Sequence, residues 1–167
     1  MVAFEKGWPR IRLMARSRAH RMKKPKRLTG KQVLAKVTRR LQKNEKLNFL
    51  EHFAMFMGKA QIVELGMKKI LVSKYGYKEE KIENWPLGAV IKELKKLGLR
   101  PDFIALVEKL KEHRNYIAHE VLADDAMMQK LAGAKARRFA WKSLERALFS
   151  VEEVIVVHDF LANNELF

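Results

Sequence analysis

Residues 101–121 read PDFIALVEKLKEHRNYIAHEV, and this stretch decides the class of the chain. Pro101 suits the first turn of a helix, where a missing N–H costs little, and Asp102 places negative charge at the positive end of the helix dipole. Phe103, Val107, Leu110, Arg114, Ile117 and Val121 then recur at alternating steps of four and three. That spacing keeps side chains on one face of an α-helix and is foreign to a strand. The stretch therefore predicts one helix running from Pro101 to Val121.

The flanking segments carry the same period. Upstream, Glu45–Tyr75 places Phe49, Phe53, Phe56, Ala60, Val63, Met67 and Ile70 on one stripe, widened by Leu50, Ala54 and Met57. A helix of about 30 residues spans roughly 45 Å, a length suited to a bundle. Gly58 and Gly66 lie inside it, either as points of close approach or as tolerated weak spots. Gly76 ends the segment, and a polar connection leads to Asn84 or Trp85. There a helix starts with Pro86 near its first turn, carries Leu87, Val90, Ile91, Leu94 and Leu97, and stops at Gly98. Downstream, a polar stretch around Ala123-Asp124-Asp125 and Gly133 precedes Ala134–Leu161, with Ala140, Leu144, Leu148, Val151, Ile155 and His158 in a stripe. The β-branched run Val154–Val157 sits inside that helical period. The expected fold is all-α, a bundle of four to five main helices over residues 44–167.

Residues 1–43 differ in kind. The whole chain has 167 residues and a formal charge of +16, and fifteen Lys or Arg against one acid, Glu5, fall within the first 43. The remaining residues are nearly balanced, with twenty basic and eighteen acidic side chains. This segment is expected to be a basic arm, with a short helix over Lys31–Lys43 starting at Thr29 or Gly30. Its clustered Arg10, Arg12, Arg16, Arg18, Arg21, Lys23, Lys24, Lys26 and Arg27 suit a polyanion, nucleic acid before an anionic membrane.

Several classes are disfavoured. There is no cysteine, hence no disulfide or thiolate metal site. The longest apolar runs fall far short of the roughly 18 residues that a membrane span needs, and arginines interrupt any secretory apolar core. An organellar leader fits poorly, because the arm is poor in Ser and Trp8-Pro9 breaks its helical character. A cytoplasmic location follows as the expectation. No His-Glu-x-x-His spacing, EF-hand loop or Gly-rich phosphate loop occurs, so neither metal nor cofactor is expected.

The chemistry-bearing residues gather at the end of the opening stretch: Arg114, Asn115 and His119. A guanidinium can hold phosphate oxygens in a planar fork, and an imidazole of ordinary pKa about 6.5 moves protons near neutral pH. On an ideal helix Asn115 and His119 share a face, whereas Arg114 and His119 lie about 140° apart. Arg114 sits on the apolar track, where an unpaired charge is costly. Two arrangements reconcile this: the guanidinium wraps past the small Ala118, or two copies of the helix meet across a two-fold axis. A structural cation paired with Glu112, Glu120 or Asp102 is the plain alternative for Arg114, and a solvated histidine the plain alternative for His119. Tyr75, Tyr77 and Trp85, close to Lys74, Lys78 and Lys81, could stack bases at the surface.

The string Arg-Asn-x-x-Ala-His-Glu over residues 114–120 resembles the Arg-x4–6-His signature of the HEPN superfamily, with the resemblance covering roughly residues 45–162. It implies a homodimer with a composite site and a metal-independent endoribonuclease, in which the RNA 2′-hydroxyl attacks the adjacent phosphate to leave a 2′,3′-cyclic phosphate. His119 would serve as general base or acid, Arg114 would stabilise phosphate charge, and Asn115 would orient the phosphate or His119. The flanking His113, Tyr116 and Glu120 are expected to contact substrate. Such enzymes often act as toxins or in antiphage defence, which makes an antitoxin protein an expected partner. The same string is similar to that of mannitol-repressor-like regulators, so a non-catalytic nucleic-acid-binding protein stays open, as does a structural ribonucleoprotein component.

Overall fold

The computed structural model describes residues 27–121 and 133–167, and the described residues form an all-α helical bundle. Its helices are α1 (Gly30–Gln42), α2 (Phe49–Tyr75), the single-turn α3 (Glu79–Ile82), α4 (Leu87–Lys96), α5 (Pro101–Tyr116) and α6 (Gly133–Asn163). A π-helical turn, Ile117–Val121, continues α5.

Local sequence explains where the helices start and stop. Thr29 Oγ1 accepts from the Gln32 N–H (3.3 Å) while the Gln32 side chain accepts from the Thr29 N–H (3.0 Å). Asn48 and Glu51 form the same reciprocal cap on α2, at 3.0 and 2.7 Å. Each cap satisfies two N–H groups that the helix itself leaves without partners. The predicted start of α2 at Glu45 thus moves to Phe49. At its far end Gly76 adopts φ 71°, and the Tyr77 N–H reaches back to the Leu71 carbonyl at 3.1 Å. Only glycine takes that left-handed conformation without a Cβ penalty.

The core lies where α2, α4, α5 and α6 converge. Phe56, Val63, Met67 and Leu71 of α2 meet Val90, Ile91 and Leu94 of α4, Phe103, Val107 and Leu110 of α5, and Leu144, Leu148, Val151 and Val154 of α6. Val154 is buried within helix, so the β-branched run is helical as predicted. The two glycines of α2 differ in their surroundings. A Cβ at Gly58 would meet nothing within 4 Å, whereas one at Gly66 would lie 3.4 Å from His158 Nε2. Gly66 is therefore the point of close approach to α6. The widened stripe on α2 is corrected: Leu50 and Ala54 are exposed, while Met57 packs against the core. The polar connection before α4 holds α3, whose Ile82 is buried.

Two expectations about the ends need revision. The helix predicted over 31–43 is α1, and it packs along α6 with Val37 fully buried, so it belongs with the bundle rather than with an arm ending at residue 43. Its Arg40 crosses to α6, where Nη1 lies 3.3 Å from Glu152 Oε2 and Nη2 lies 3.2 Å from Asp159 Oδ2. The Glu152 side chain is only 2% exposed, and Lys59 of α2 pairs with its other oxygen. Two cations from two helices thus compensate one buried carboxylate, as burial of a charge requires. The second revision concerns the opening stretch: α geometry stops at Tyr116, and Ile117–Val121 is wound more loosely. The polar stretch around Asp124 and Asp125 lies outside the described residues.

Candidate functional site at the end of α5

Arg114 and Asn115 are in the last α turn, and His119 is in the π turn that follows. The Ile117 N–H is shared between the carbonyls of His113 and Arg114, marking the junction. A π turn bonds residue i to i+5, so each residue turns the chain through less than 100°. The angular gap between Arg114 and His119, themselves five residues apart, accordingly closes below the 140° of an ideal α-helix. No proline or glycine marks this change, so nothing in the sequence announced it.

The side chains point to different surroundings. Arg114 is 32% exposed and turns toward α2, with Nη2 4.0 Å from Glu64 Oε2. Within the chain the guanidinium thus lies against α2, and among the described side chains its ion-pair partner is Glu64 rather than Glu112 or Asp102. Glu64 is shared, because its Oε1 lies 3.1 Å from Lys68 Nζ, which also donates to the Glu83 carbonyl at 2.7 Å. Arg114 is therefore held at long range by a carboxylate already paired with another cation, and among the described residues no other ion pair occupies its guanidinium. Asp102 instead binds Arg100, at 2.6 Å.

Asn115 and His119 are both exposed, side by side at i and i+4. Tyr116 is half-buried and packs on the core, which limits it to an edge role. His113 is half-buried, and burial together with nearby Lys109 and Arg146 holds its pKa below the ordinary imidazole value, while Glu112 acts in the other direction. Its neutral form is favoured, and the cations around it make this side of α5 electropositive. The Glu120 side chain lies outside what is described, as do Arg10, Arg12, Arg16, Arg18, Arg21, Lys23, Lys24 and Lys26. Arg27, just before α1, is exposed.

Sequence reasoning missed Glu64, Lys68 and Arg146 at this site. The i,i+4 spacing of Glu64 and Lys68 signals a pair on α2, but nothing in it points to α5, fifty residues on. Of the expected stacking residues, Tyr77 donates its hydroxyl to Glu93 at 2.8 Å and packs edge-on against Trp85, while Lys74 lies over the Tyr75 ring at 5.4 Å. Among the described residues no group of three or more His, Asp or Glu is placed to hold a metal ion. No described helix is long and apolar enough to cross a membrane.

Comparison with family models, with curated proteins and with solved structures gives no match to this chain.

Proposed function

We propose that this protein is a metal-independent endoribonuclease of the HEPN type. The observation that carries the reading is the π turn, which draws His119 back toward the Arg114 side of the helix while leaving Asn115 and His119 open to solvent. His119 would take the proton from a ribose 2′-hydroxyl or give one to the leaving 5′-oxygen. Arg114 would hold the non-bridging phosphate oxygens, and Asn115 would orient the phosphate or the imidazole. Attack of the 2′-oxygen on phosphorus breaks the bond to the 5′-oxygen and leaves a 2′,3′-cyclic phosphate, so the hydroxyl of RNA is required. The basic residues of 1–27 would add affinity that does not depend on sequence.

A homodimer would bring two such motifs to one cleft. Ile62 and Leu65 of α2, each 64% exposed, are apolar side chains on the helix that also carries Glu64, and a partner chain would cover them. Toxin or antiphage-defence activity, restrained by an antitoxin protein, is the biological role the motif suggests.

A second reading has an observation of its own. The Arg114–Glu64 contact lies within one chain, as it would if the arginine were structural and the protein only bound nucleic acid or regulated transcription. Incubating purified protein with mixed RNA in EDTA separates the two. The nuclease reading expects cleavage, with loss of rate on the order of 10²–10⁴ in His119→Ala and a comparable failure of Arg114→Lys, whose point charge does not reproduce the fork. Equal decay in wild type and both variants would assign the activity to a contaminant.

A further inference from the structure

Four cations along one side of α1 and its C-cap do not share one task. Lys36, Arg39, Arg40 and Lys43 recur at i, i+3, i+4 and i+7, which puts them on one side of the helix. They form one wall of an open groove of about 620 Å³, and the opposite wall is the C-terminal part of α6, including Asp159, Phe160, Asn163 and Asn164. Only Arg40 is neutralised across the groove, by Glu152 and Asp159. Among the described residues, no ion pair involves Lys36, Arg39 or Lys43.

Helix packing does not account for this surplus. The C-terminal end of α6 presents about half a negative charge, and Asp159 adds one more. With Arg40 counted against Glu152 and Asp159, Lys36, Arg39 and Lys43 face only the helix's half charge, so more than two positive charges stay unbalanced on the groove wall. A helix that needed only to dock on α6 would have its requirement met by Val37 and Arg40.

We propose that the groove between α1 and the C-terminal turns of α6 binds the phosphodiester backbone of single-stranded nucleic acid. Lys36 to Lys43 spans seven residues, about 10 Å at 1.5 Å per residue, enough to reach two or three consecutive phosphates of an extended strand, which lie roughly 6–7 Å apart. The concave shape admits a strand and excludes the plane of a bilayer. The half-buried ring of Phe160 offers an apolar surface for a base. The Asn164 amide donates to the Phe160 carbonyl at 2.8 Å, which leaves its oxygen as an acceptor for a base edge or a ribose hydroxyl. The groove also continues the chain's own charge, because α1 follows directly on the ten Lys and Arg of residues 1–27. Nothing in it belongs to the Arg114 motif, so the site stands whether or not that motif cleaves RNA.

The test uses the full chain carrying His119→Ala, so that bound RNA is not consumed, and a fluorescent 12-nucleotide oligouridylate in EDTA. Binding is followed by anisotropy at several salt concentrations, with and without Lys36→Gln, Arg39→Gln and Lys43→Gln together. Each phosphate contact contributes about 0.7 to the log–log salt slope of a single strand, so the triple change should lower the slope by about 2 and weaken binding about 50-fold at 0.15 M salt. Thermal melting should be unchanged. Arg39→Glu alone, a fully solvated change, provides a second variant and should lower the slope by about 0.7 or more. An unaltered slope in both variants overturns the proposal and assigns all binding to residues 1–27. Absence of RNA binding in the parent, or a loss confined to phosphatidylserine vesicles, overturns it as well.

Discussion

Glu152 carries a carboxylate into the interior at the meeting of α1, α2 and α6, and its two partners differ in what their loss would leave behind. Lys59→Met strands the buried carboxylate with Arg40 alone, and breaking a buried pair in this way costs about 3 kcal/mol. Glu152→Met removes the buried charge itself and leaves Lys59 and Arg40, 24% and 40% exposed, able to turn toward water. Chemical denaturation should therefore find Lys59→Met the more damaging, with Glu152→Met costing less than about 1.5 kcal/mol; the reverse order contradicts the assignment. His113 gives a prediction in pH. Its folded-state pKa is depressed by burial and by Lys109 and Arg146, so between that value and the ordinary 6.5 the unfolded chain binds more protons than the native one. Stability present above pH 6.5 is lost as pH falls through that window. Melting curves from pH 7.5 to 5 should show a decline that His113→Gln makes shallower, and an identical decline in both proteins would remove His113 as its source.

Among the elements, α1 is where sequence and structure part most instructively. Its high cation content makes it look continuous with the residues before it, which placed an arm boundary at residue 43. Yet Val33, Leu34, Val37 and Leu41 were legible as one side of a helix, and Thr29-x-x-Gln32 is a capping box. Charge density was the weaker guide, because three of the four cations on the groove wall face open space rather than a partner helix. Removing residues 1–26 should leave the melting temperature nearly unchanged. Removing residues 1–43 should lower it by several degrees, since Val37 is lost and Glu152 keeps only Lys59. Equal melting of both truncations would mean that α1 contributes nothing to the bundle. The helices α2, α4, α5 and α6 were readable because their apolar stripes are long and their glycine stops clear. The π turn was not: it begins at buried Ile117, and no proline or glycine marks it.

For the whole molecule, the fold class lay open in the hydrophobic period, and the place of the motif at the end of α5 lay open with it. What the sequence withheld is the pairing of distant groups: Arg114 with Glu64 of α2, and His113 with Arg146 of α6. These depend on how the helices cross, which periodicity alone leaves undetermined. The proposed activity rests on one chemical claim, that Arg114, Asn115 and His119 direct a 2′-hydroxyl onto its neighbouring phosphate. The most direct measurement uses a DNA oligonucleotide with a single internal ribonucleotide, in EDTA, at saturating enzyme. The expected result is one cut, immediately 3′ to the ribonucleotide, leaving a 2′,3′-cyclic phosphate, with no cut in the all-deoxy or 2′-O-methyl oligonucleotide and none by His119→Ala. Cutting of the all-deoxy strand, a cut requiring a divalent metal, or an undiminished rate in His119→Ala would contradict it.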